Sequence, residues 1–378
     1  MKLRSKLALA LCGALAIQPT FAQEKEGQAK VQLAILLDTS SSMSGLIEQT
    51  KTQLWKVVNT FIDAKQNGQV PFVEVALYEY GNTRIKDGEN WIRCIQPLTR
   101  DLDQISEDLF ALSTSGGDEY CGAVIQQATA DLKWDASGDV YKAIFIAGNE
   151  PFTQGPVKVE EACKAAIASG IIVNTIHCGE ESVGINTGWK SGALLADGSF
   201  LSINHNAAVV HIEAPQDAAI VKLNEDLNKT YIAYGKTGES KLQAQTAQDA
   251  NALSKEKSGA AVGRAVTKAS QNYWNGNWDL GDASKAKDFD WTKVKEADLP
   301  EEMKTLDLEG QKKYVADKLA ARTKIQNEIQ KLNEARTAFV NEKRKEGAKG
   351  GEESTLDVAV TNTVREQAKK KGYQFEKK

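Results

Sequence analysis

Residues 34–43 read AILLDTSSSM, an apolar run that turns directly into a short polar loop. The apolar part belongs to a longer run, Val31–Leu37, that is typical of a strand buried on both faces of a sheet. After the loop, apolar residues spaced three and four apart between Leu46 and Asp63 predict a helix. A buried strand, a polar loop and a helix in this order indicate a crossover unit of an α/β protein.

The same alternation of strands and helices continues to about His211 and predicts a mostly parallel sheet with helices on both faces. The run Trp91–Ile95 follows a polar, glycine-bearing turn and is predicted to be an antiparallel edge strand. The other predicted strands are Phe72–Tyr78, Ala143–Ala147, Ile171–His177 and Ala207–Ile212, and the predicted helices lie near Leu102–Leu112, Ala123–Leu132 and Val157–Ala168.

The composition changes after about Tyr234, where Ala, Gln, Lys and Ser become frequent and predict an α-helical C-terminal region. Within it, apolar residues between Gln311 and Lys345 follow a repeat of three and four, which favours a helical hairpin or a short coiled coil. The predicted organisation is an export signal at 1–22, an α/β domain at 31–235, a helical region at 236–346, and a linker with a charged tail at 347–378.

The first 22 residues have the three parts of an export signal. Three basic residues precede the apolar stretch Leu7–Ile17, and small residues around Ala22 form a cleavage site that would leave Gln23 first. The apolar stretch is shorter than the roughly 18–20 residues of a membrane span, so a retained anchor is the weaker interpretation. A lipid on Cys12 is an alternative, although bulky Leu11 stands where a lipoprotein signal has a small residue. No later segment predicts a transmembrane helix, and we expect a periplasmic or secreted protein.

The charge balance argues against nucleic acid as the partner, because 47 basic and 51 acidic residues give a net charge of −4. The sequence Gly235-Lys236-Thr237 ends like a phosphate-binding loop, but Thr230 stands where that loop needs its first glycine. Of the three histidines, His177 and His211 fall in predicted strands, and none lies in a nucleophile-elbow pattern. We therefore expect sheet histidines with satisfied hydrogen bonds and no enzyme of these classes.

Four cysteines remain after the export signal, and an even number in an oxidising compartment favours disulfides. If the chain turns at Gly170, Cys163 lies about 10 Å up its helix and Cys178 lies about 26 Å up its strand. Disulfide Cα atoms must lie within about 7 Å of each other, so these two cysteines are not expected to pair. Any bridge is expected to join Cys121 to Cys178 or to Cys94.

Asp38, Ser40 and Ser42 alternate along the loop after the first predicted strand. In an open α/β sheet, the loops at the carboxyl ends of the strands form the edge that binds ligands. One carboxylate and two hydroxyls present three oxygens to one point, which suits a hard cation: Mg²⁺ first, with Mn²⁺ or Ca²⁺ as alternatives. Because hydroxyls are uncharged, the cation keeps positive charge that an acidic group of a partner can neutralise. The alternative is that these side chains only cap the following helix.

Residues 34–43 resemble the opening of a von Willebrand factor A domain with its metal-ion-dependent adhesion site, and the resemblance extends from about Val31 to Gly235. It implies a doubly wound, Rossmann-like, mostly parallel sheet of six strands, a divalent ion at one edge, and protein ligands. The second half resembles the helical C-terminal region of exported bacterial proteins with such a domain, and that part of the resemblance implies no activity.

The resemblance also implies a second ligand loop after a glycine-rich turn, at residues 114–120. Asp118 and Glu119 are the candidate ligands there, with Thr114 and Ser115 behind them. Capping the next helix is the alternative role for these residues.

One position departs from the family pattern, because Gly148 stands where the family has an aspartate after its fourth buried strand. Asn149 or Glu150 is the candidate substitute. Restoring the acid with Gly148→Asp is expected to raise metal affinity, provided that the glycine does not have a positive φ.

Three functions remain open at this point. The first is a non-enzymatic protein-binding module whose metal engages a carboxylate of a partner protein. The second is a structural or scaffolding envelope protein that acts through its helical tail and has a degenerate metal site. The third and most distant is an envelope hydrolase that uses Asp38 and the ion to activate water. The sequence identifies neither the partner nor the oligomeric state.

Overall fold

The structure is a computed structural model that describes residues 29–43, 56–86, 90–203, 212–253, 259–348 and 356–375. Several sequence predictions concern residues outside these ranges. They are the export signal, most of the helix predicted from Leu46, nearly all of the strand predicted at 207–212, and the histidines His205 and His211.

The centre of the molecule is a mostly parallel β-sheet. The described strands are β1 (Lys30–Asp38), β2 (Ala64–Lys65), β3 (Phe72–Tyr80), β4 (Ile92–Thr99), β5 (Tyr141–Gly148), β6 (Ile171–His177), β7 (Phe200–Ser202) and β8 (Gln374–Phe375). Six of them form one sheet in the order β4-β3-β1-β5-β6-β7. All neighbours in this sheet are parallel except β3 and the edge strand β4, which are antiparallel. The predicted α/β class, the six strands and the antiparallel edge are confirmed, while β7 lies in a segment that the sequence did not predict as a strand.

Strand β1 is buried along its whole length because helices cover both faces of the sheet. Val31 and Leu33 point into a first hydrophobic core, and Ala34 and Leu36 point into a second. Successive side chains of a strand point to opposite faces, so the two cores lie on the two sides of the sheet. This two-sided burial explains why the sequence shows the continuous apolar run Leu33–Leu37 there and no alternation.

Helices surround the sheet and then form the C-terminal region, as predicted. The described helices are α1 (Leu102–Ala111), α2 (Cys121–Asp131), α3 (Val159–Ala168), α4 (Glu181–Asn186), α5 (Trp189–Leu195), α6 (Asp217–Asn228), α7 (Gly238–Leu253), α8 (Ala260–Lys268), α9 (Leu280–Ala283), α10 (Glu301–Lys304), α11 (Leu308–Ala348) and α12 (Leu356–Lys369). Helices α2, α3 and α5 pack in the second core, and α1, α6, α8 and α12 pack in the first. Among the described residues, no helix is both long and apolar enough to cross a membrane.

The C-terminal helices share the first core with the sheet. Leu227 of α6, Val266 of α8 and Ile329 of α11 lie in the same buried cluster as Leu33 of β1. Helix α11 is one continuous helix of 41 residues, where the sequence favoured a hairpin or a coiled coil. It packs against α6, α8 and α9 of the same chain, so its apolar repeat is used for contacts within the molecule.

The last described segment, residues 356–375, differs from the predicted linker and charged tail. Val360, Val364 and Ala368 of α12 are fully buried in the first core. Strand β8 pairs antiparallel with β2, and the Tyr373 hydroxyl donates a hydrogen bond to the carbonyl of Lys30. The charged residues of this segment, which suggested a solvated tail, alternate with apolar residues that face the sheet.

All four described cysteines are free, so the predicted disulfide of Cys121 is wrong. Cys121 and Cys163 belong to the second core, whereas Cys178 belongs to the first. The sheet therefore separates Cys121 from Cys178. The Cys121 thiol instead donates to the Tyr80 hydroxyl oxygen at 3.7 Å, and Cys94 lies exposed on the edge strand.

Candidate metal centre

The carboxyl ends of three neighbouring strands, β3, β1 and β5, meet at one edge of the sheet. Asp38 is the last residue of β1, Tyr80 ends β3, and Gly148 ends β5. The amide of Thr39 donates to the carbonyl of Tyr80 at 2.9 Å, which holds the first two loops together. Asp38, Ser40 and Ser42 lie where β1 ends and its loop begins, at the edge where an open α/β sheet binds ligands, and Glu119 comes from the loop between α1 and α2.

The loop after β1 forms a chain of oxygen atoms. The amide of Ser40 donates to Asp38 Oδ1 at 2.7 Å, and Ser40 Oγ lies 2.8 Å from Ser42 Oγ. Ser42 Oγ in turn donates to Asn149 Oδ1 at 2.9 Å. Asp38 and Ser40 are buried, Ser42 is exposed, and fully buried Met43 anchors the end of the loop. The site is therefore closed beneath Asp38 and open towards solvent at Ser42.

Glu119 brings a second buried carboxyl group to Asp38. Burial, and after it the negative charge of Asp38, raises the pKa of Glu119 to about 9. Burial likewise raises the pKa of Asp38 to about 6, against the hydrogen bonds from Ser40 that lower it. Asp38 Oδ2 and Glu119 Oε2 are buried, and no N–H group or hydroxyl donates a hydrogen bond to either atom. The two carboxyl groups hydrogen-bond to each other, which requires a proton on one of them. Both can be ionised in a dry site only if a cation replaces that proton.

The second loop contributes Glu119 to this cluster, whereas Asp118 lies apart from it. The amide of Glu119 donates to Gln154 Oε1 at 2.7 Å, which fixes the loop beneath the carboxyl group. Asp118 is exposed, and its Oδ2 accepts a hydrogen bond from the Tyr120 hydroxyl at 3.2 Å. Ser115 supports the site from behind, because its amide donates to the carbonyl of Thr39 at 3.0 Å.

Gly148 leaves no room for the family's aspartate. The φ angle of Gly148 is not positive, so the backbone itself would accept an aspartate. A Cβ atom there, however, would lie 2.5 Å from Tyr80 Oη and 3.0 Å from Trp189. Asp38 Cβ would be 3.3 Å away. An aspartate at this position therefore requires Tyr80 or Trp189 to move, and the effect of Gly148→Asp on metal affinity stays a prediction. Asn149, one of the two candidate substitutes, bonds to Ser42 instead.

Gly81 and Asn82 belong to the site and were not predicted. Gly81 has φ +75°, and a Cβ there would lie 2.8 Å from Glu119 Cγ and 2.9 Å from Asp38 Oδ1. Asn82 Nδ2 donates to the carbonyls of Thr39 and Ser113, and so ties the loops together. The available signal was their position after β3, since β3 is the neighbour of β1 in a sheet of this type.

His177 differs from the prediction of a satisfied sheet residue. It ends β6 and is only 1% exposed, yet neither ring nitrogen has a hydrogen-bond partner. Its ring packs against Trp189, with ring centroids 5.7 Å apart. Burial lowers the pKa of His177, so the ring is neutral at pH 7.

The donor set fits a hard divalent cation. It offers the two carboxyl groups of Asp38 and Glu119 and the hydroxyls of Ser40 and Ser42, all oxygen atoms, as Mg²⁺ prefers. Among the residues that the structure describes, no group of three or more His, Cys, Asp or Glu side chains is placed to hold a metal ion. Hydroxyls, water and an external ligand would therefore supply the other positions of the shell.

Comparisons with known proteins identify the family of the sheet domain. Residues 32–184 match the family model of the von Willebrand factor type A domain. Similar solved structures include the hypothetical protein BatB from Bacteroides thetaiotaomicron, with 17% identity over 46% of this chain and 90% of that chain and a TM-score of 0.35. The domain of the pilus tip protein Mfa5 from Porphyromonas gingivalis has 11% identity over 47% and 91% and a TM-score of 0.34.

A third similar structure is proximal thread matrix protein 1 from the mussel byssus, described with a zinc-occupied MIDAS motif. It has 14% identity over 48% of this chain and 43% of that chain, with a TM-score of 0.36. No curated protein matches the chain. The family match makes residues 32–184 a von Willebrand factor type A domain, as the sequence predicted. The wider limits, 31–235, stay a prediction.

Proposed function

We propose that this von Willebrand factor type A domain is a non-enzymatic module that binds a partner protein through a divalent cation. Asp38, Ser40, Ser42 and Glu119 hold the cation, with Mg²⁺ as the first choice. The observation that carries the proposal is the pair of adjacent buried carboxyl groups, Asp38 and Glu119, whose oxygens Oδ2 and Oε2 receive no hydrogen bond from an N–H group or a hydroxyl. A divalent cation between the two carboxylates would neutralise both negative charges, whereas a single shared proton neutralises one of them.

The open side of the site supports an acidic ligand from a partner. Ser41 and Ser42 are exposed there, whereas the carboxyl groups of Asp38 and Glu119 lie beneath them. A divalent ion held by two carboxylates is near neutral, and its outer coordination positions face solvent. A carboxylate from another protein can take one of them, since Mg²⁺ accepts one or two carboxylates beside waters.

Exposed apolar side chains flank the same edge. Val183 and Ile185 of α4 are 45% and 41% exposed. Helix α4 ends against the loop that carries Asn149, because the amide of Phe152 donates to the carbonyl of Thr187 at 3.0 Å. We therefore expect the partner to present an acidic residue next to an apolar one, since interfaces combine polar contacts with buried apolar anchors.

A pull-down from envelope extract, with Mg²⁺ or with chelator, tests this function. Wild type should capture a partner only with Mg²⁺, and Asp38→Ala should capture none. Asp118→Ala is the matched control. Asp118 is an exposed acidic residue on the same loop as Glu119, but its carboxylate lies apart from Asp38 and Glu119. Capture that is equal with chelator, or equal for Asp38→Ala, would remove the metal-dependent function.

A scaffolding role through the helical region is the second candidate. It is favoured by the burial of the C-terminal helices in the same core as the sheet, with the long α11 lying across them. In that case capture would persist in chelator and would be lost when exposed residues of α11 are changed. Export through a cleaved signal at 1–22 is part of both proposals, and N-terminal sequencing of the mature protein should give Gln23.

A further inference from the structure

An open cavity lies at the opposite edge of the sheet from the candidate metal centre. Its volume is about 580 Å³, and it is lined by the loop after α2, the end of α3 and the start of β5. The lining residues include Lys133, Trp134, Asp135, Lys142 and Gly170. Lys142 pairs with Ile171, the first residue of β6, so the cavity lies at the amino ends of these strands.

Lys142 is a buried cation without a carboxylate partner among the described residues. It is 5% exposed, and its Nζ donates to the backbone carbonyl of Asp135 at 2.7 Å. The carboxylate of Asp135 is engaged elsewhere, because it pairs with Lys30 Nζ at 2.9 Å and accepts from the amide of Ser137 at 2.8 Å. Nζ lies 3.6 Å from the position of a Cβ on Gly170, at the cavity wall.

Two more lysines border the cavity and add to the positive charge. Lys133 lines it and is exposed, and Lys371 Nζ donates to the carbonyl of Gly138 at 3.1 Å. Burial and the charge of Lys371 lower the pKa of Lys142, and Asp135 only partly offsets them. A buried charge is costly unless it is paired, and an anion in the cavity would provide the missing pair.

The helix carbonyls beside the cavity do not provide that pair. The indole nitrogen of Trp134 donates to the carbonyl of Ala128 at 2.9 Å, and the amide of Gly170 donates to the carbonyl of Ile167 at 2.8 Å. These carbonyls at the ends of α2 and α3 already have donors. The half-buried ring of Trp134 remains as an apolar wall next to the lysines.

We propose that this cavity binds a phosphate-type oxyanion carried on an apolar or aromatic body. Lys142 and Lys133 bind the charged group, and Trp134 packs against the body that carries it. The cavity is much larger than one inorganic phosphate, so the same site would hold a soluble organic phosphate or the phosphate of a lipid headgroup.

Titration calorimetry on the full chain, in a low-salt chloride buffer, tests this site with inorganic phosphate and phenyl phosphate. Phenyl phosphate should bind more tightly than inorganic phosphate, because only phenyl phosphate can pack on Trp134. Vesicles of phosphatidylglycerol, compared with vesicles of phosphatidylcholine, test the headgroup source. Binding of free phosphates alone identifies a soluble ligand, and binding that needs phosphatidylglycerol vesicles identifies a lipid.

Lys142→Met should weaken binding at least tenfold for whichever of these probes binds to wild type. Ala168→Trp, at an exposed position that lines the cavity, should block it while leaving Lys142 in place, and decides the case if Lys142→Met does not fold. Lys164→Met, which removes an exposed lysine of α3 outside the cavity, should bind as wild type does. Unchanged binding by both cavity variants, or no binding of any probe to wild type, would overturn the proposal.

Discussion

At the scale of single residues, two glycines determine how closely the loops of the candidate metal centre approach each other. A Cβ atom on Gly148 would overlap Tyr80 and crowd Trp189 and Asp38, and a Cβ atom on Gly81 would overlap Asp38 and Glu119. The sequence marks Gly148 only as a missing acid. The structure shows that the space of that acid is filled by the Tyr80 hydroxyl, which donates to the carbonyl of Ala147 at 2.9 Å.

Gly148→Ala should therefore destabilise the protein by about 1–3 kcal/mol, the usual cost of overpacking. Gly138→Ala is the matched control, because no atom lies within 4 Å of its Cβ position. That control should be neutral or stabilising by up to about 1 kcal/mol. Urea denaturation of both variants measures the difference, and equal stabilities would contradict the crowding at Gly148.

The pair of Asp38 and Glu119 predicts that the stability of the protein depends on pH when a chelator keeps the site free of metal. The pKa values of both groups are raised in the folded protein, to about 6 and about 9. Their contribution to stability is therefore full below about pH 4 and is lost as pH rises through these values. Glu119→Gln cannot ionise and keeps its contribution.

Between pH 5 and pH 9, the unfolding free energy of Glu119→Gln relative to wild type should rise by at least about 1 kcal/mol, close to one pKa unit. Asp118→Asn, the exposed neighbour, serves as the control and should show no such rise. Saturating Mg²⁺ should stabilise wild type at pH 9 more than Glu119→Gln. A pH-independent difference between wild type and Glu119→Gln would show that Glu119 does not share a proton with Asp38.

The buried thiols give a separate test of the disulfide correction. Burial raises the pKa of Cys121, Cys163 and Cys178, and all three are enclosed in the cores. Native alkylation followed by peptide mass mapping should label Cys94 and leave the other three until the protein is unfolded. A protein that takes no label even when unfolded would contain disulfides and would contradict the free thiols.

At the scale of elements, the sequence predicted the strands and helices that carry a characteristic apolar pattern. It missed the elements that form only through contacts distant along the chain. The buried strands β1 and β5 follow from the continuous apolar runs Leu33–Leu37 and Ala143–Ala147, because two-sided burial favours such runs. The short β7 carries no such pattern and is defined by its pairing with β6. In the same way the sequence identified Asp38, Ser40 and Ser42 from their spacing, whereas the approach of Glu119 depends on a turn that brings two loops together.

Helix α12 shows how a polar residue can specify docking. Gln367 is buried against β5 and β6, where its Oε1 accepts from the Tyr141 hydroxyl at 2.7 Å and its Nε2 donates to Asn174 Oδ1 at 2.7 Å. Gln367→Ala should cost about 1–3 kcal/mol, because it leaves buried polar groups without partners. The adjacent Glu366→Ala is exposed and should change stability by less than about 0.5 kcal/mol. Thermal unfolding of both variants measures the contrast, and a silent Gln367→Ala would mean that α12 is not docked in solution.

At the scale of the whole molecule, buried ion pairs join the sheet domain to the helical region. Arg264 of α8 lies 2.6 Å from Asp103 of α1 and 2.6 Å from Asp249 of α7, and all three are largely shielded from solvent. Arg322 of α11 makes a second buried cluster with Asp279 and Asp282. These contacts, with the shared first core, predict that the two regions unfold together.

Arg264→Met should therefore lower the unfolding free energy by about 3–5 kcal/mol, because it leaves buried Asp103 without its cation, whereas Asp249 keeps Lys268. Lys241→Met breaks a half-exposed pair with Asp101 and should cost less than about 1 kcal/mol. Circular dichroism and tryptophan fluorescence should report one common transition for wild type. Two separated transitions would show that the helical region unfolds on its own.

The docking of residues 356–375 beside the first strand also constrains the order of events during synthesis. Tyr373 contacts Lys30 across 343 positions, and Gln66 Nε2 donates to the carbonyl of Lys371 across 305. The first core is incomplete without this segment, because Val360, Val364 and Ala368 form part of it. Such long-range contacts slow folding. A chain that is still being synthesised therefore lacks part of its first core until residues 356–375 have been added, and we expect the sheet to stay incompletely packed up to that point.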